Sequence, residues 1–588
     1  MIKLENVSYS FPQKDLYNKI SFTLEDNQHC AFIGTSGSGK STLVDIIMDP
    51  EKYMYDGTLE IDPNCRIGYV SQFSQLDNTK EITVFEYISE EFIKLQNQIT
   101  AICTEMETSS NIDALLEKYQ QALDAFHAIG GDDFESNINK KLNLANLSEH
   151  ENLMVSKLSG GEFKLIQVIK EMLTAPDLMI MDEPDVFLDF ENLNSLKNLI
   201  NSHKGIMLII THNRYLLNHC FNKIIHLENM ELQEFNGSYI DYNFSLLQTK
   251  IELQELATAD TEEIERNEIL IEKLRFAATS HSEASRGKSL NARVKIRERL
   301  EARRIKAPFV DIKQPEIHFI ATNVMEETVA LQVSDYSVSF DNNMLLETVN
   351  FEIKSTDKVA LIGSNGTGKT TLLREIFKNN TASIKLHEGI EVAFLSQLQG
   401  EMLNESNTIL EEFFDIGFQT NQEIISYISS YGFEEEFTNR TIASLSGGEK
   451  TILQLAKISA GNANLLLLDE PTSHLDTYSQ LALEKAIENY KGAILMISHD
   501  FYSIVNCMDF VLIIEDKTIR KINMRKFRKR IYANHFDRDY LIIEDKKKAV
   551  ETKIELALKD NNFVLANTLS EELESLIHFL SLSSKSIH

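Results

Sequence analysis

The sequence predicts an α/β protein in which one nucleotide-handling scaffold occurs twice, joined by a helical linker and followed by a helical extension. Three observations lead there. Two glycine-rich phosphate-binding patterns occur, each is followed downstream by a strongly apolar run ending in Asp-Glu, and these landmarks keep their order. At 588 residues the chain exceeds what one hydrophobic core organises, so several domains are expected.

The first glycine-rich pattern is Gly34-Thr35-Ser36-Gly37-Ser38-Gly39-Lys40-Ser41, followed by Thr42. The second is Gly363-Ser364-Asn365-Gly366-Thr367-Gly368-Lys369-Thr370, followed by Thr371. Glycines let backbone N–H groups turn toward phosphate, and the helix that follows adds its positive N-terminal end. Lys40 and Lys369 are suited to the terminal phosphates, and Ser41 and Thr370 offer hydroxyls to Mg²⁺.

The apolar runs Leu178-Met179-Ile180-Met181-Asp182-Glu183 and Leu465-Leu466-Leu467-Leu468-Asp469-Glu470 suit strands buried on both faces. In such sheets ligands collect at the carboxyl ends of the strands, where these acids fall. Asp182 and Asp469 are expected to hold Mg²⁺ through water, and Glu183 and Glu470 to act as general bases on the attacking water. An Asp-Glu pair is often a solvated turn. Its recurrence in both repeats, each time before Pro184 or Pro471, argues against that here.

Lys40 and Lys369 lie 329 residues apart, Gln72 and Gln397 325 apart, and Leu158 and Leu445 287 apart. The same 287 separates Asp182 from Asp469 and His212 from His499. The first half therefore carries 38 extra residues between Gln72 and Leu158. Glu86 to Ile129 has no Gly or Pro, and Ser110-Asn111-Ile112-Asp113 fits a capping box, so two helices forming an arm are expected over about 86–130.

The domain reading is a first nucleotide-binding domain over 1–245, a charged helical linker over 246–325, a second nucleotide-binding domain over 326–522 and a helical extension over 523–588. The linker begins acidic, turns at 279–287, and continues basic, with eleven Lys/Arg against three acids between Lys273 and Lys306. A helical hairpin with limbs of opposite sign is expected; a spacer with solvated charges accounts for the helix content but not for the segregation. In the extension a turn at Asp560-Asn561-Asn562 divides two helices, with Ile554, Leu558, Leu565 and Leu569 as packing positions. The basic run from Arg525 to Arg530 precedes them and could contact nucleic acid.

Composition limits the alternatives. The net charge of −31 argues against a uniformly nucleic-acid-binding surface, so the two basic stretches stand out. No apolar run approaches the roughly 20 residues a bilayer requires, and no signal peptide is read at Met1-Ile2-Lys3. Five scattered cysteines read as thiols in a reducing compartment, and a cytoplasmic protein is expected.

Leu158-Ser159-Gly160-Gly161-Glu162 and Leu445-Ser446-Gly447-Gly448-Glu449 each precede a helical stretch and supply a second anion site. With the glycine-rich loops, Gln72 and Gln397, the Asp-Glu-Pro segments, and His212 and His499, the chain resembles the ATP-binding cassette ATPases over about 400 residues. The resemblance implies two tandem ATP-binding cassettes (P-loop NTPase domains) paired head to tail. Each ATP then lies between one cassette's P-loop and Ser159–Gly161 or Ser446–Gly448 of the other. It further implies that Gln72 and Gln397 touch Mg²⁺ and the attacking water, that His212 and His499 touch the γ-phosphate, and that Phe11 and Phe340 stack on adenine. A lone Phe is otherwise more often core.

Two cassettes in one chain, an arm and a charged helical linker resemble the ABC-F subfamily, which acts on the ribosome. The resemblance implies a linker inserted at the tRNA exit site, with Arg286, Lys288, Arg293, Lys295 and Arg297 on ribosomal RNA and P-site tRNA nearby. It also implies a monomer that regulates or rescues translation, with resistance to ribosome-targeting antibiotics as a related outcome. Competing readings are the ATPase subunit of a membrane transporter, which leaves the basic limb unexplained, and a DNA-repair cassette ATPase, which predicts coiled coils or zinc cysteines absent from the sequence. The second cassette follows the family in Asp469-Glu470-Pro471-Thr472-Ser473-His474-Leu475-Asp476 and Ser498-His499-Asp500. The first departs, with Asp185-Val186-Phe187 before Leu188-Asp189, and Thr211 and Asn213 around His212. Both sites are therefore expected to hydrolyse ATP, at unequal rates.

Overall fold

A computed structural model describes residues 2–11, 14–63, 65–72, 81–108, 112–186, 188–280, 295, 314–322, 324, 328–340, 343–535 and 538–585. The chain divides into two compact units, 1–236 with 313–530, and 237–312 with 531–588.

The first unit holds both cassettes. In the first, β3 (His29–Ile33), β5 (Ile67–Val70), β6 (Leu178–Asp182), β7 (Ile206–Ile210), β8 (Lys223–Glu228) and β9 (Glu231–Asn236) make a six-stranded sheet ordered β5-β6-β7-β3-β8-β9. In the second, β12 (Lys358–Ile362), β14 (Val392–Leu395), β15 (Leu465–Asp469), β16 (Ala493–Ile497), β17 (Phe510–Glu515) and β18 (Thr518–Asn523) repeat that order as β14-β15-β16-β12-β17-β18. All pairs are parallel except the last, β8–β9 and β17–β18.

The apolar runs behave as continuous buried strands. All five residues of β6, β7, β15 and β16 are buried, as helices on both faces of a parallel sheet require. A three-stranded antiparallel sheet packs on each: β2 (Lys14–Leu24), β1 (Ile2–Phe11) and β4 (Asp56–Ile61) in the first cassette. Its counterpart in the second is β11 (Asn343–Lys354), β10 (Val329–Phe340) and β13 (Ile384–Leu386).

The insertion forms helices Val84–Thr108 and Ile112–Ala128. Ile102, Leu115 and Ala122 pack between them, and at the base Phe92 stacks on Phe134 at 4.9 Å. The Ser110–Asn111 part of the expected cap lies outside the described residues.

In the second unit, helix Tyr239–Ser280 packs with helices Arg538–Lys559 and Phe563–Lys585 through a core of Ile251, Val550, Ile554, Leu558, Leu569 and Leu573. The Asp560–Asn562 turn lies where the sequence puts it. Leu565 departs from expectation: it is 45% exposed, because the buried stripe of its helix runs through Ala566, Leu569, Leu573 and Ile577. Thr279 and Ser280, expected in a turn, still belong to the first linker helix. The basic limb lies outside the described residues except Lys295, which is helical and exposed. Arg286, Lys288, Arg293 and Arg297 are therefore not placed. No helix among the described residues is long and apolar enough to cross a membrane.

Candidate nucleotide sites

Each glycine-rich loop links a buried strand to a helix, β3 to Lys40–Met48 and β12 to Lys369–Lys378. Gly39 and Gly368 precede those helices at φ of 102° and 91°, a left-handed conformation that side chains disfavour. A Cβ on Gly34 would lie 2.2 Å from the Leu227 carbonyl oxygen, so that position admits only glycine without a backbone shift. Both lysines are buried over their own loops. Lys40 Nζ donates to the carbonyls of Gly34 and Thr35 at 2.9 Å, and Lys369 Nζ to those of Gly363 and Ser364 at 2.7 and 2.9 Å. Burial lowers the pKa of both, so each ammonium sits where phosphate oxygens would compensate its lost hydration.

The signature segments start helices Gly160–Leu173 and Gly447–Ser459. Ser159 accepts from Glu162 N–H while Glu162 accepts from Ser159 N–H, and Ser446 and Glu449 repeat this capping box. The family's Ser and Glu thus set the helix start, each cap contributing about 1 kcal/mol.

Two cavities lie between the cassettes. One, of about 680 Å³, is lined by Lys40, Ser41, Thr42, Gln72 and Glu183 of the first cassette and by Ser446, Gly447 and Gly448 of the second. The other, of about 610 Å³, is lined by Lys369, Thr370, Thr371, Gln397, Asp469 and Glu470 together with Ser159, Gly160 and Gly161. Both volumes suit a small-molecule ligand. Phe11 and Phe340 rim the first and second cavity at 45% and 69% exposure, which excludes the core reading of these two rings.

The two halves also touch through matched aspartates. Ser36 N–H donates to Asp476 Oδ2 at 3.0 Å, and Asn365 N–H donates to Asp189 Oδ2 at 3.3 Å. Each aspartate simultaneously caps its own helix, accepting from Ser479 and Asn192 respectively. One carboxylate therefore ties the start of a helix in one cassette to the phosphate loop of the other.

Asp182 and Asp469 are buried beside Ser41 and Thr370, and burial pushes both carboxyls up to about 6. The buried Asp469 oxygens and Asp182 Oδ1 make no hydrogen bond. An orphaned carboxylate, a hydroxyl and a nearby glutamine fit Mg²⁺, which keeps several waters and shares the rest of its shell with phosphate.

The two candidate bases differ in their surroundings. Both adopt positive φ, 45° at Glu183 and 50° at Glu470, a backbone strain typical of functional positions. Glu183 accepts from Gln72 Nε2 and from His474 Nδ1 of the other cassette, the latter at 3.3 Å. Burial acts to raise its pKa, yet the His474 hydrogen bond and the charges of His212 and Lys40 hold it below the ordinary carboxylate value. Glu470 instead accepts from its own His499 N–H at 3.3 Å, with His499 Nε2 3.4 Å from Oε1. Burial and the adjacent Asp469 carboxylate push it up. His212 is buried and His499 largely so, and desolvation lowers both.

Sequence reasoning missed several neighbours. Asp185 and Thr211, two of the first cassette's departures, pair with each other through a 2.7 Å hydrogen bond. Glu228 accepts from Thr35 N–H at 3.1 Å, and Lys164 Nζ donates to the Gln72 carbonyl at 3.2 Å. Arg440 lines the first cavity. Each lies far from its partner in sequence; only the 287-residue offset, which pairs Lys164 with Thr451 and Arg440 with Leu153, hints that the halves differ there.

A repeated P-loop on a parallel sheet, with a carboxylate pair at the strand ends, defines a P-loop nucleotide-hydrolase class. The family described as "ABC transporter" matches residues 17–186 and 346–473. The chain belongs to the ABC-F subfamily of ATP-binding cassette proteins. YdiF of Bacillus subtilis (strain 168) is 30% identical over 514 residues, 86% of this chain and 78% of its own. ABC transporter F family member 5 of Arabidopsis thaliana is 28% identical over 527 residues, 88% and 75% respectively. The energy-dependent translational throttle protein EttA of Escherichia coli (strain K12) is 27% identical over 519 residues, 86% and 90%. Among solved structures, the complex of the archaeal ribosomal stalk protein aP1 with the archaeal ribosome recycling factor aABCE1 matches at TM-score 0.52 and 16% identity. That match covers 90% of this chain and 92% of the matched chain, and it shows the shared tandem fold.

Proposed function

We propose that this chain hydrolyses ATP at two composite sites and acts on the ribosome to regulate or rescue translation. The observation that carries the first half is that each cavity is walled by one cassette's P-loop and the other's signature segment. Lys40 and Lys369 receive the terminal phosphates. Phe11 and Phe340 stack on the base, and the amides after Ser159 and Ser446 close on the γ-phosphate from the opposite side. Ser41 with Asp182 and Gln72, or Thr370 with Asp469 and Gln397, would hold Mg²⁺, which would supply neutralisation of the phosphate charge.

Glu183 or Glu470 accepts a proton from water as the water oxygen bonds to γ-phosphorus and the bond to the bridging oxygen breaks. ADP leaves with that oxygen, and inorganic phosphate forms. His212 and His499 steady the γ-phosphate. Closure on ATP and reopening after hydrolysis then alternate the cassette pair between two states.

The second half rests on kinship with a translational throttle protein and on the sign-segregated linker. Arg286, Lys288, Arg293, Lys295 and Arg297 contact ribosomal RNA phosphates near the tRNA exit site, where counterion release supplies most of the affinity. A cytoplasmic monomer and a link to ribosome-targeting antibiotics belong to the same reading. In cell-free translation, the Glu183→Gln/Glu470→Gln variant is expected to inhibit in an ATP-dependent manner, and neutralising those five cations relieves it. Translation unaffected at any concentration, with the protein recovered on membranes in fractionated cells, would favour a transporter subunit instead.

A further inference from the structure

The two sites are related by a 287-residue repeat, yet among the described residues a histidine of one cassette reaches the base of the other at the first site alone. His474 lies four residues after Glu470 and reaches into the opposite site, where its Nδ1 is 3.3 Å from Glu183 Oε2. A bond to a carboxylate requires the proton on Nδ1, so His474 donates. Gln72 Nε2, 3.5 Å from that nitrogen, donates instead to the same carboxylate oxygen. Glu183 is thus held by one donor from its own cassette and one from the other.

The histidine is itself fixed. Its backbone is left-handed at φ 63°, a conformation uncommon outside glycine though more accessible to histidine than to most residues. A Cβ added to Gly447 would lie 3.2 Å from His474 Cγ, so the glycine makes room for the ring. Ser36 Oγ and the His474 carbonyl flank Gly448 in the same way, at 2.7 and 2.6 Å from the position of a Cβ. His474 therefore couples the second cassette's signature glycines to the first cassette's base. At the equivalent position of the first repeat the sequence has Phe187, which has no group to donate. Glu470 takes its hydrogen bond from His499 of its own cassette.

We propose that His474 is a positioning residue that acts across the interface, aligning Glu183 for attack at the first site, with no reciprocal aid to Glu470. Hydrolysis at the P-loop of Gly34–Ser41 then depends, through this histidine, on how the second cassette is seated, and the sequence does not repeat that donor at position 187.

The inference rests on the reading of Glu183 and Glu470 as the two bases, and single-site enzymes test both. Glu470→Gln leaves only the first site turning over, and Glu183→Gln only the second. Adding His474→Phe to the first is expected to lower kcat roughly ten- to hundredfold, the scale of a misplaced reacting group, with KM for ATP changed less than about twofold. The fall is expected to exceed that in the second-site enzyme at least tenfold. His474→Asn, which keeps a side-chain N–H donor, is expected to recover part of it. Equal falls in both enzymes, or a loss confined to KM, would overturn the inference alone. Turnover surviving in the Glu183→Gln/Glu470→Gln variant would overturn the base assignment and the inference with it.

Discussion

Replacing Arg214 with methionine is expected to weaken the contact between the cassettes more than any surface charge change. Arg214, one residue past the position that departs from Asp to Asn, is largely buried, with its side chain 11% exposed, where it bridges Glu484 and Asp500 of the second cassette. It donates to Asp500 Oδ2 at 2.6 Å, to Ser503 Oγ at 3.2 Å, and to Glu484 Oε1, with its guanidinium 5.1 Å from the Tyr502 ring. Burial alone would lower its pKa, but the two carboxylates outweigh burial and raise it. Removing one partner of a buried ion pair costs about 3–5 kcal/mol, because the other charge is left uncompensated.

Here the carboxylates keep other donors. Asn506 serves Glu484 at 3.0 Å and Tyr502 N–H serves Asp500 at 3.0 Å, while the single Ser503 hydroxyl proton serves one or the other, at 2.9 or 2.7 Å. The lower end, about 3 kcal/mol, is therefore expected. At roughly 2.1 cal/mol/K per residue, a unit of about 450 residues melting together would lose about 3 °C. Calorimetry on Arg214→Met measures this. The triple variant with Glu484→Gln and Asp500→Asn removes the stranded charges and is expected to regain most of the loss. A midpoint within 1 °C of the parent, or a triple variant no better than the single, would mean that Arg214 does not hold the two cassettes together in this way.

Three further outcomes are expected. Separate Glu183→Gln and Glu470→Gln variants should lose unequal shares of steady-state turnover, the larger with Glu183, whose carboxylate has donors from both cassettes; equal shares would count against two differently built sites. Burial holds His219 down at about 4 against an ordinary 6.5, so the unfolded chain binds the extra proton between those values. Its contribution, roughly 3 kcal/mol, is full above pH 6.5 and is lost as pH falls toward 4, so urea midpoints of His219→Gln should vary less over that window than the parent's. Burial raises the Cys30 thiol to about 12 and raises Cys220 further, whereas Cys103 is exposed. A maleimide at pH 7.5 should therefore label Cys103 within minutes and the other two only on unfolding; rapid labelling of Cys220 would contradict its packing.

The cassettes were legible because their signals are local. A strand buried on both faces reads as an unbroken apolar run, and a phosphate loop must spend its glycines in a fixed pattern. Both therefore survive without knowledge of the rest of the chain. The trans contacts were not legible in this way. Arg214 and Asp500 lie 286 residues apart, and nothing near either marks the other as its partner. His474 was visible as part of a motif, and Phe187 as a departure from it, but the reach of the imidazole to Glu183 depends on the seating of one cassette against the other. The second unit taught the same lesson: Ile251 packs among Val550, Ile554 and Leu573, and an apolar stripe does not name the helix that will cover it. Leu565 satisfied the helical spacing but sits one residue off the buried stripe, an error of about 100° around the helix.

On the proposed reading, the chain binds a ribosome through its linker when ATP is bound. Co-sedimentation of the Glu183→Gln/Glu470→Gln variant with ribosomes, with and without ATP, tests it most directly. Pelleting is expected to require ATP and to be lost when the basic residues between Arg286 and Lys306 are neutralised. No pelleting in either nucleotide condition, or pelleting indifferent to ATP and to the linker charges, would contradict it.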